Sequence, residues 1–208
     1  MRSRFFVVLG VAAGFAVLNA QAPPPANVPP PPDASVVLRD YQPVTAERLK
    51  RPEPDSWLMV RRTYDGWGYS PLNQITSGNV DNLKLVWTVR TGELRAHQSA
   101  PIVNGGVMFV STPNNQVIAF NASTGVVLWR YRKPRPESAI VLHQPNRGVA
   151  LYQDKVFFTA GEAVLIALDA KTGRELWQKE TANNKAAYYS TLAPLIADGK
   201  SADWNIRR

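Results

Sequence analysis

The stretch NNQVIAFNASTGVVLWRY at residues 114–131 nearly returns as GEAVLIALDAKTGRELWQKE at residues 161–180. Ala119 and Ala167 stand 48 positions apart, and the Thr-Gly pair and the Trp recur at matching places behind them. A fixed period of this length belongs to repeat architectures, whose units cannot bury their apolar faces alone and must stack on one another. Each phrase reads as strand, turn, strand. Asn121 or Asp169 opens the turn by bonding nearby backbone, and Gly125 or Gly173 supplies the positive φ that a five-residue hairpin loop requires. Trp129 and Trp177 each follow their glycine by four residues, so each is expected to pack against a neighbouring unit and lock the stack.

A second register extends the unit. SAPIVNGG (99–106) and LAPLIADG (192–199) align at Ala100 and Ala193, 93 positions apart and close to two periods. GVMFVST (106–112), QVIAF (116–120), VVLWRY (126–131), KVFFTA (155–160), AVLIAL (163–168) and RELWQK (174–179) are further predicted strands, bounded by Gly, Asn and Asp clusters. Four short strands per unit at this period mark a propeller blade. A closed ring takes about four to eight blades, whereas residues 57–208 hold two units and the start of a third. The predicted fold is therefore all-β, an incomplete β-propeller of four-stranded blades occupying residues 56–208.

The first 22 residues carry Arg2 and Arg4, an uncharged apolar run from Phe5 to Leu18, and small residues ending at Ala20 and Ala22. This is the plan of a secretory signal peptide, and the run is short for a membrane span. Export is expected, with cleavage after Ala22 or Ala20. The rest of the extension, residues 23–55, begins with PPPANVPPPPDA (23–34), whose prolines suit an extended spacer; a proline-rich ligand is the alternative. Residues 44–50, VTAERLK, predict a short turn of helix stopped by Pro52 and Pro54.

Composition excludes several chemistries. The chain has no cysteine, so neither disulfides nor thiolate metal sites are available, and His97 and His143 are its only histidines. The formal charge of +8 is spread along the chain. Its densest run, from Arg130 to Arg135, is read as solvated charge at a strand edge rather than a nucleic-acid surface.

The two phrases resemble the tryptophan-docking motif of the quinoprotein alcohol and methanol dehydrogenases, which use pyrroloquinoline quinone (PQQ) on an eight-bladed propeller. That motif reads Ala-x-Asp-x-x-Thr-Gly-x-x-x-Trp. The chain has Ala119, Asn121, Thr124, Gly125 and Trp129, then Ala167, Asp169, Thr172, Gly173 and Trp177, with Asn121 the one departure. The opening segment YDGWGYSPLNQITSGNVDNLKLVW (64–87) is similar to the family's entry, and the resemblance covers residues 55–200.

The resemblance implies a cofactor site. PQQ is a planar quinone with three carboxylates, which calls for a guanidinium fork, neutral hydrogen-bond partners and flat apolar faces. Arg147, in an intact Asn-Arg-Gly, matches the arginine that pairs with PQQ. Gln98 falls where relatives carry a Glu or Gln that touches the quinone, and Thr191 where a threonine bonds a PQQ carboxylate. Val141 and Leu142 replace two adjacent cysteines that stack on the quinone in many relatives, as an apolar pair still able to cover that face.

By the same resemblance, complete members use calcium or a lanthanide as Lewis acid, an aspartate as base, an alcohol as substrate and a cytochrome c as electron acceptor. Here SADWNIRR (201–208) breaks the strand alternation at Ser201, and the metal ligands, the catalytic aspartate and any haem-bearing tail are expected to lie elsewhere. The expectation is thus the N-terminal piece of a periplasmic PQQ-dependent alcohol dehydrogenase, inactive alone, with open blade edges available for self-association. The alternatives are a non-catalytic repeat scaffold that docks through blade edges and an enzyme assembled from split polypeptides.

Overall fold

The structure, a computed structural model, describes residues 35–94 and 96–202. The expected signal peptide, the proline-rich stretch 23–34 and residues 203–208 lie outside the described residues. Two short helices come first, α1 (Ser35–Arg39) and α2 (Ala46–Lys50), and a 3-10 turn follows at Val80–Asn82. One antiparallel sheet then contains β1 (Ile102–Asn104), β2 (Val107–Thr112), β3 (Gln116–Asn121) and β4 (Val127–Arg132) in spatial order. A second contains β5 (Ala150–Tyr152), β6 (Lys155–Ala160), β7 (Val164–Asp169) and β8 (Glu175–Glu180), also in order. A third begins with the hairpin of β9 (Leu195–Ala197) and β10 (Lys200–Ala202). The chain is all-β with few helices, built from four-stranded blades as the period predicts.

The repeated phrase makes the same hairpin twice. Asn121 Oδ1 accepts the N–H groups of Ser123 and Thr124 at 3.0 and 3.2 Å. Asp169 Oδ1 accepts those of Lys171 and Thr172 at 3.1 and 2.8 Å, and adds the Thr172 hydroxyl at 2.8 Å. Gly125 and Gly173 close the loops at φ +72° and +70°. Both sheets carry a register shift at the same point, after Ala119 and after Ala167, the residues paired with Trp129 and Trp177.

The glycines also receive an indole. A Cβ at Gly173 would sit 2.6 Å from Trp129, and Trp129 Nε1 donates to the Ala170 carbonyl at 3.0 Å. The fourth strand of one blade is thereby stapled to the last hairpin of the next. Gly125 receives its own indole, but from Trp87, whose ring lies 2.6 Å from the site of a Cβ and whose Nε1 donates to Ala122 at 3.1 Å. Trp177 departs from the expectation. It packs on Phe157 within its own sheet but stays 41% exposed, because no third Thr-Gly hairpin among the described residues covers it.

Polar ties reinforce the contact between blades. Asn115, on the β2–β3 loop, accepts from Gly161 N–H at 2.8 Å and donates to the buried Glu162 carboxylate at 2.8 Å. Lys133 pairs with Glu162 at 2.8 Å, and the Tyr131 hydroxyl donates to Glu175 at 2.5 Å.

The N-terminal extension packs on the sheets. Leu38, Tyr41, Val44 and Leu49 join the core, and burial pushes the Tyr41 phenol up to about 12. Val44 bridges to Gln153 and Trp57 to Val103, each through a reciprocal backbone pair. Thr45 caps α2 by accepting from Arg48 N–H, so the helix predicted over 44–50 forms over its last five residues. The predicted break at Ser201 does not occur. Asp198 and Gly199, at φ +48° and +69°, make a two-residue turn, and backbone pairing carries Ser201 opposite Ile196 whatever its side chain.

Candidate functional site

Gln98, Arg147 and Thr191 occupy equivalent places in three successive units, each a few residues before the unit's first strand, β1, β5 or β9. Backbone stitches draw these lead-in segments together. His97 and Asn146 form a parallel bridge, so Gln98 and Arg147 leave it as next neighbours in the chain. Arg147 N–H then donates to the Thr191 carbonyl at 3.1 Å, joining the second unit to the third.

The Asn-Arg-Gly segment shows why those three residue types stand together. Asn146 is buried, donates through Nδ2 to the Thr159 carbonyl at 2.8 Å and accepts Gly148 N–H at 3.1 Å. It is the strut that anchors the loop to β6. Gly148 has φ +143°, and a Cβ there would lie 3.4 Å from Ala193 Cβ and 3.9 Å from the Ala100 carbonyl. The two Ala-Pro segments that align in the sequence therefore close around this glycine. Between strut and turn, the Arg147 side chain is held out, exposed.

All three predicted residues line one cleft of about 410 Å³, together with Ala96, His143, Pro145 and Tyr189. The Arg147 guanidinium donates to the Thr191 hydroxyl oxygen. A hydroxyl used as acceptor still has its own O–H to give, and a guanidinium with one N–H engaged keeps four. Both groups therefore present donors to an incoming anion, while the Gln98 carboxamide adds a neutral partner at the exposed side. His143 and Tyr189 set two rings 6.1 Å apart at 56°, giving the cleft flat walls.

His143 and Tyr189 were not singled out from the sequence as part of a site. Their signal is positional, four residues before Arg147 and two before Thr191, and it has meaning only once those residues are placed. The apolar pair, Val141 and Leu142, lies on the same loop as His143. Val141 is turned to the β6–β7 loop, where a Cβ on Gly161 would come within 3.1 Å of it, and Leu142 is 45% exposed. Neither lines the cleft, whose wall on this loop is His143 and Pro145. Among the described residues no group of three or more His, Asp or Glu converges as a metal site.

The fold has counterparts in known proteins. The family profile of the PQQ glucose/ethanol/alcohol dehydrogenase β-propeller domain matches residues 57–177. The chain belongs to this PQQ dehydrogenase family. Similar members include quinohemoprotein alcohol dehydrogenase ADH IIB of Pseudomonas putida, 39% identical over 150 residues, covering 69% of this chain and 21% of that protein. Lanthanide-dependent methanol dehydrogenase of Methylacidiphilum fumariolicum is 36% identical over 154 residues, covering 71% of this chain and 25% of that protein. Among solved structures, a europium-containing methanol dehydrogenase superposes with a TM-score of 0.69 at 35% identity, over 74% of this chain and 28% of that one. Quinohemoprotein alcohol dehydrogenase from Comamonas testosteroni gives 0.67 at 31% identity, over 81% and 26%. The chain thus spans only about a fifth to a quarter of these family members' length.

Proposed function

We propose that this chain supplies one wall of the cofactor pocket in an exported PQQ-dependent alcohol dehydrogenase, with Gln98, Arg147 and Thr191 as the residues that hold PQQ. The observation that carries this reading is the convergence of those three residues, from three successive blades, in a single cleft. The donor set fits the group. Arg147 offers parallel N–H groups to a carboxylate, Thr191 a hydroxyl proton, Gln98 a carboxamide, and the rings of His143 and Tyr189 flat surfaces for a planar molecule.

When bound, PQQ supplies the two-electron oxidant for the alcohol. The protein's own part here is binding and orientation: Arg147, braced by Thr191 and by the buried Asn146, fixes one edge of the cofactor before reaction. We further propose that calcium or a lanthanide, the proton-accepting aspartate and the contact with a cytochrome c belong to other blades of the ring. On this reading the chain by itself does not oxidise alcohols, and its first 22 residues direct it to the periplasm.

Equilibrium dialysis of the purified chain against PQQ tests the assignment. The expected result is weak uptake that Arg147→Ala removes, with the fold unchanged by circular dichroism. Equal uptake by the wild type and Arg147→Ala would show that the cleft is not the PQQ site. Tight stoichiometric uptake would contradict the assignment of the remaining walls to other blades.

A further inference from the structure

The connection from β4 to β5, residues 133–149, carries His143 and Pro145 into the cleft without a helix or strand of its own. Irregular connections of this length are uncommon in compact folds and tend to carry function. Its two ends are fixed. Lys133 N–H donates to the Asn115 carbonyl at 3.0 Å and Lys133 Nζ pairs with Glu162, while Asn146 is the strut onto β6. Between these ends the loop is met by Asn184, from the 3-10 turn Asn184–Ala186 that follows β8.

Asn184 bonds Ile140 as a neighbouring strand would. Its Oδ1 accepts Ile140 N–H at 2.9 Å, and its Nδ2 donates to the Ile140 carbonyl at 2.7 Å. The same Nδ2 donates to the Tyr188 carbonyl at 2.8 Å. A carboxamide has two N–H groups, and here they go to the backbones of two different segments. Ile140 stands three residues before His143, and Tyr188 is next to Tyr189. One side chain therefore ties together the two segments that bring rings to the cleft. The turn is shaped to present it: Asn183 Oδ1 accepts Lys185 N–H at 3.0 Å, and Ala187 closes the turn at φ +64°, a region alanine rarely enters.

We infer that Asn184 is a positioning residue of the cleft: its carboxamide fixes the His143 and Tyr189 rings relative to each other, 6.1 Å between centroids, and so sets the slot offered to a planar ligand. Asn184 does not itself line the cleft, so it acts through the two segments and not on the cofactor. Its bonds are to backbone atoms, which hold the loop whatever the side chains of Ile140 and Tyr188 do. A slot whose walls are joined before binding loses less conformational freedom on taking a ring than one whose loop must still settle. The inference rests on the reading of the cleft as the PQQ site and adds what keeps that site in shape.

The test is Asn184→Leu, which keeps the side chain's bulk and removes all three bonds, with Asn184→Ala as the second variant where the first fails to fold. Two readouts are taken on the full chain: nuclear Overhauser cross-peaks between the His143 and Tyr189 rings, and PQQ uptake in equilibrium dialysis. The variant should lose the cross-peaks and lower uptake about three- to tenfold, the worth of one or two hydrogen bonds, with circular dichroism unchanged. Lys185→Ala, at an exposed side chain on the same turn, should move neither readout. Cross-peaks that survive in the variant, uptake equal to wild type after the cross-peaks are lost, or the same losses in Lys185→Ala would each overturn the inference. Uptake that Arg147→Ala leaves unchanged would sink the PQQ reading, and the ligand half of this inference with it; the cross-peaks would still decide whether Asn184 holds the walls.

Discussion

Trp129 and Trp177 are the same residue of the same phrase, and they end up in opposite surroundings. Each pairs with an alanine on the adjacent strand, and each packs on a phenylalanine, Phe109 at 5.8 Å or Phe157 at 5.9 Å. Within their own sheets they are alike. Trp129 is 3% exposed and Trp177 41%, and the difference is the Thr-Gly hairpin of the following blade. A blade therefore builds the indole's seat on one side only. The other half of the site is the glycine of its neighbour, and burial of the indole reports stacking rather than folding of the sheet.

That comparison predicts unequal costs. Trp129→Ala should destabilise the chain by about 3–5 kcal/mol in urea unfolding, as full truncation of a buried aromatic does. Trp177→Ala should cost less than half as much, since a large part of its indole already meets water. Gly173→Ala comes next, at about 2–4 kcal/mol, combining positive-φ strain with a methyl driven into the Trp129 ring. Gly66→Ala isolates the first of these. Gly66 has φ +71° with nothing within 4 Å of its Cβ position, so only about 1–2 kcal/mol of strain is expected there.

Smaller effects separate the two hairpins further. Asn121→Asp should stabilise the first hairpin by about 0.5–1 kcal/mol, giving it the charged acceptor that Asp169 already uses for three bonds. Thermal melts at low and high salt would check it, with the gain shrinking in salt. The tie between Tyr131 and Glu175 carries a pH signature. Burial first, and then the Glu175 carboxylate, push the Tyr131 phenol well above its ordinary value near 10. Its folded value exceeds its unfolded one, so the stability it contributes is complete below about pH 10 and is lost as pH rises towards the folded value. Tyr131→Phe should flatten that alkaline slope.

The repeat was legible because strand alternation and turn chemistry are local. The run KVFFTA coincides with β6, and the other five strand-like runs differ from the strands by a single residue at one or both ends. Trp87 was not legible as a docking indole. It precedes Trp129 by 42 positions rather than 48 and follows a 3-10 turn instead of a Thr-Gly hairpin. The burial of Leu38, Tyr41, Val44 and Leu49 was equally hidden, since their partners lie far along the chain. In the cleft, Gln98, Arg147 and Thr191 could be chosen by family motif, while Asn146 as strut and Gly148 as close-approach glycine required the packing of Ala100 and Ala193 to be seen.

The most direct test of the staple is a double-mutant cycle on Trp129 and Gly173, measured by urea unfolding. If the indole seats on the glycine, Gly173→Ala in the Trp129→Ala background should cost only the backbone strain, with a coupling energy of about 1–3 kcal/mol. Additive costs would mean that the two residues act separately, and that neighbouring blades are not joined through their tryptophans.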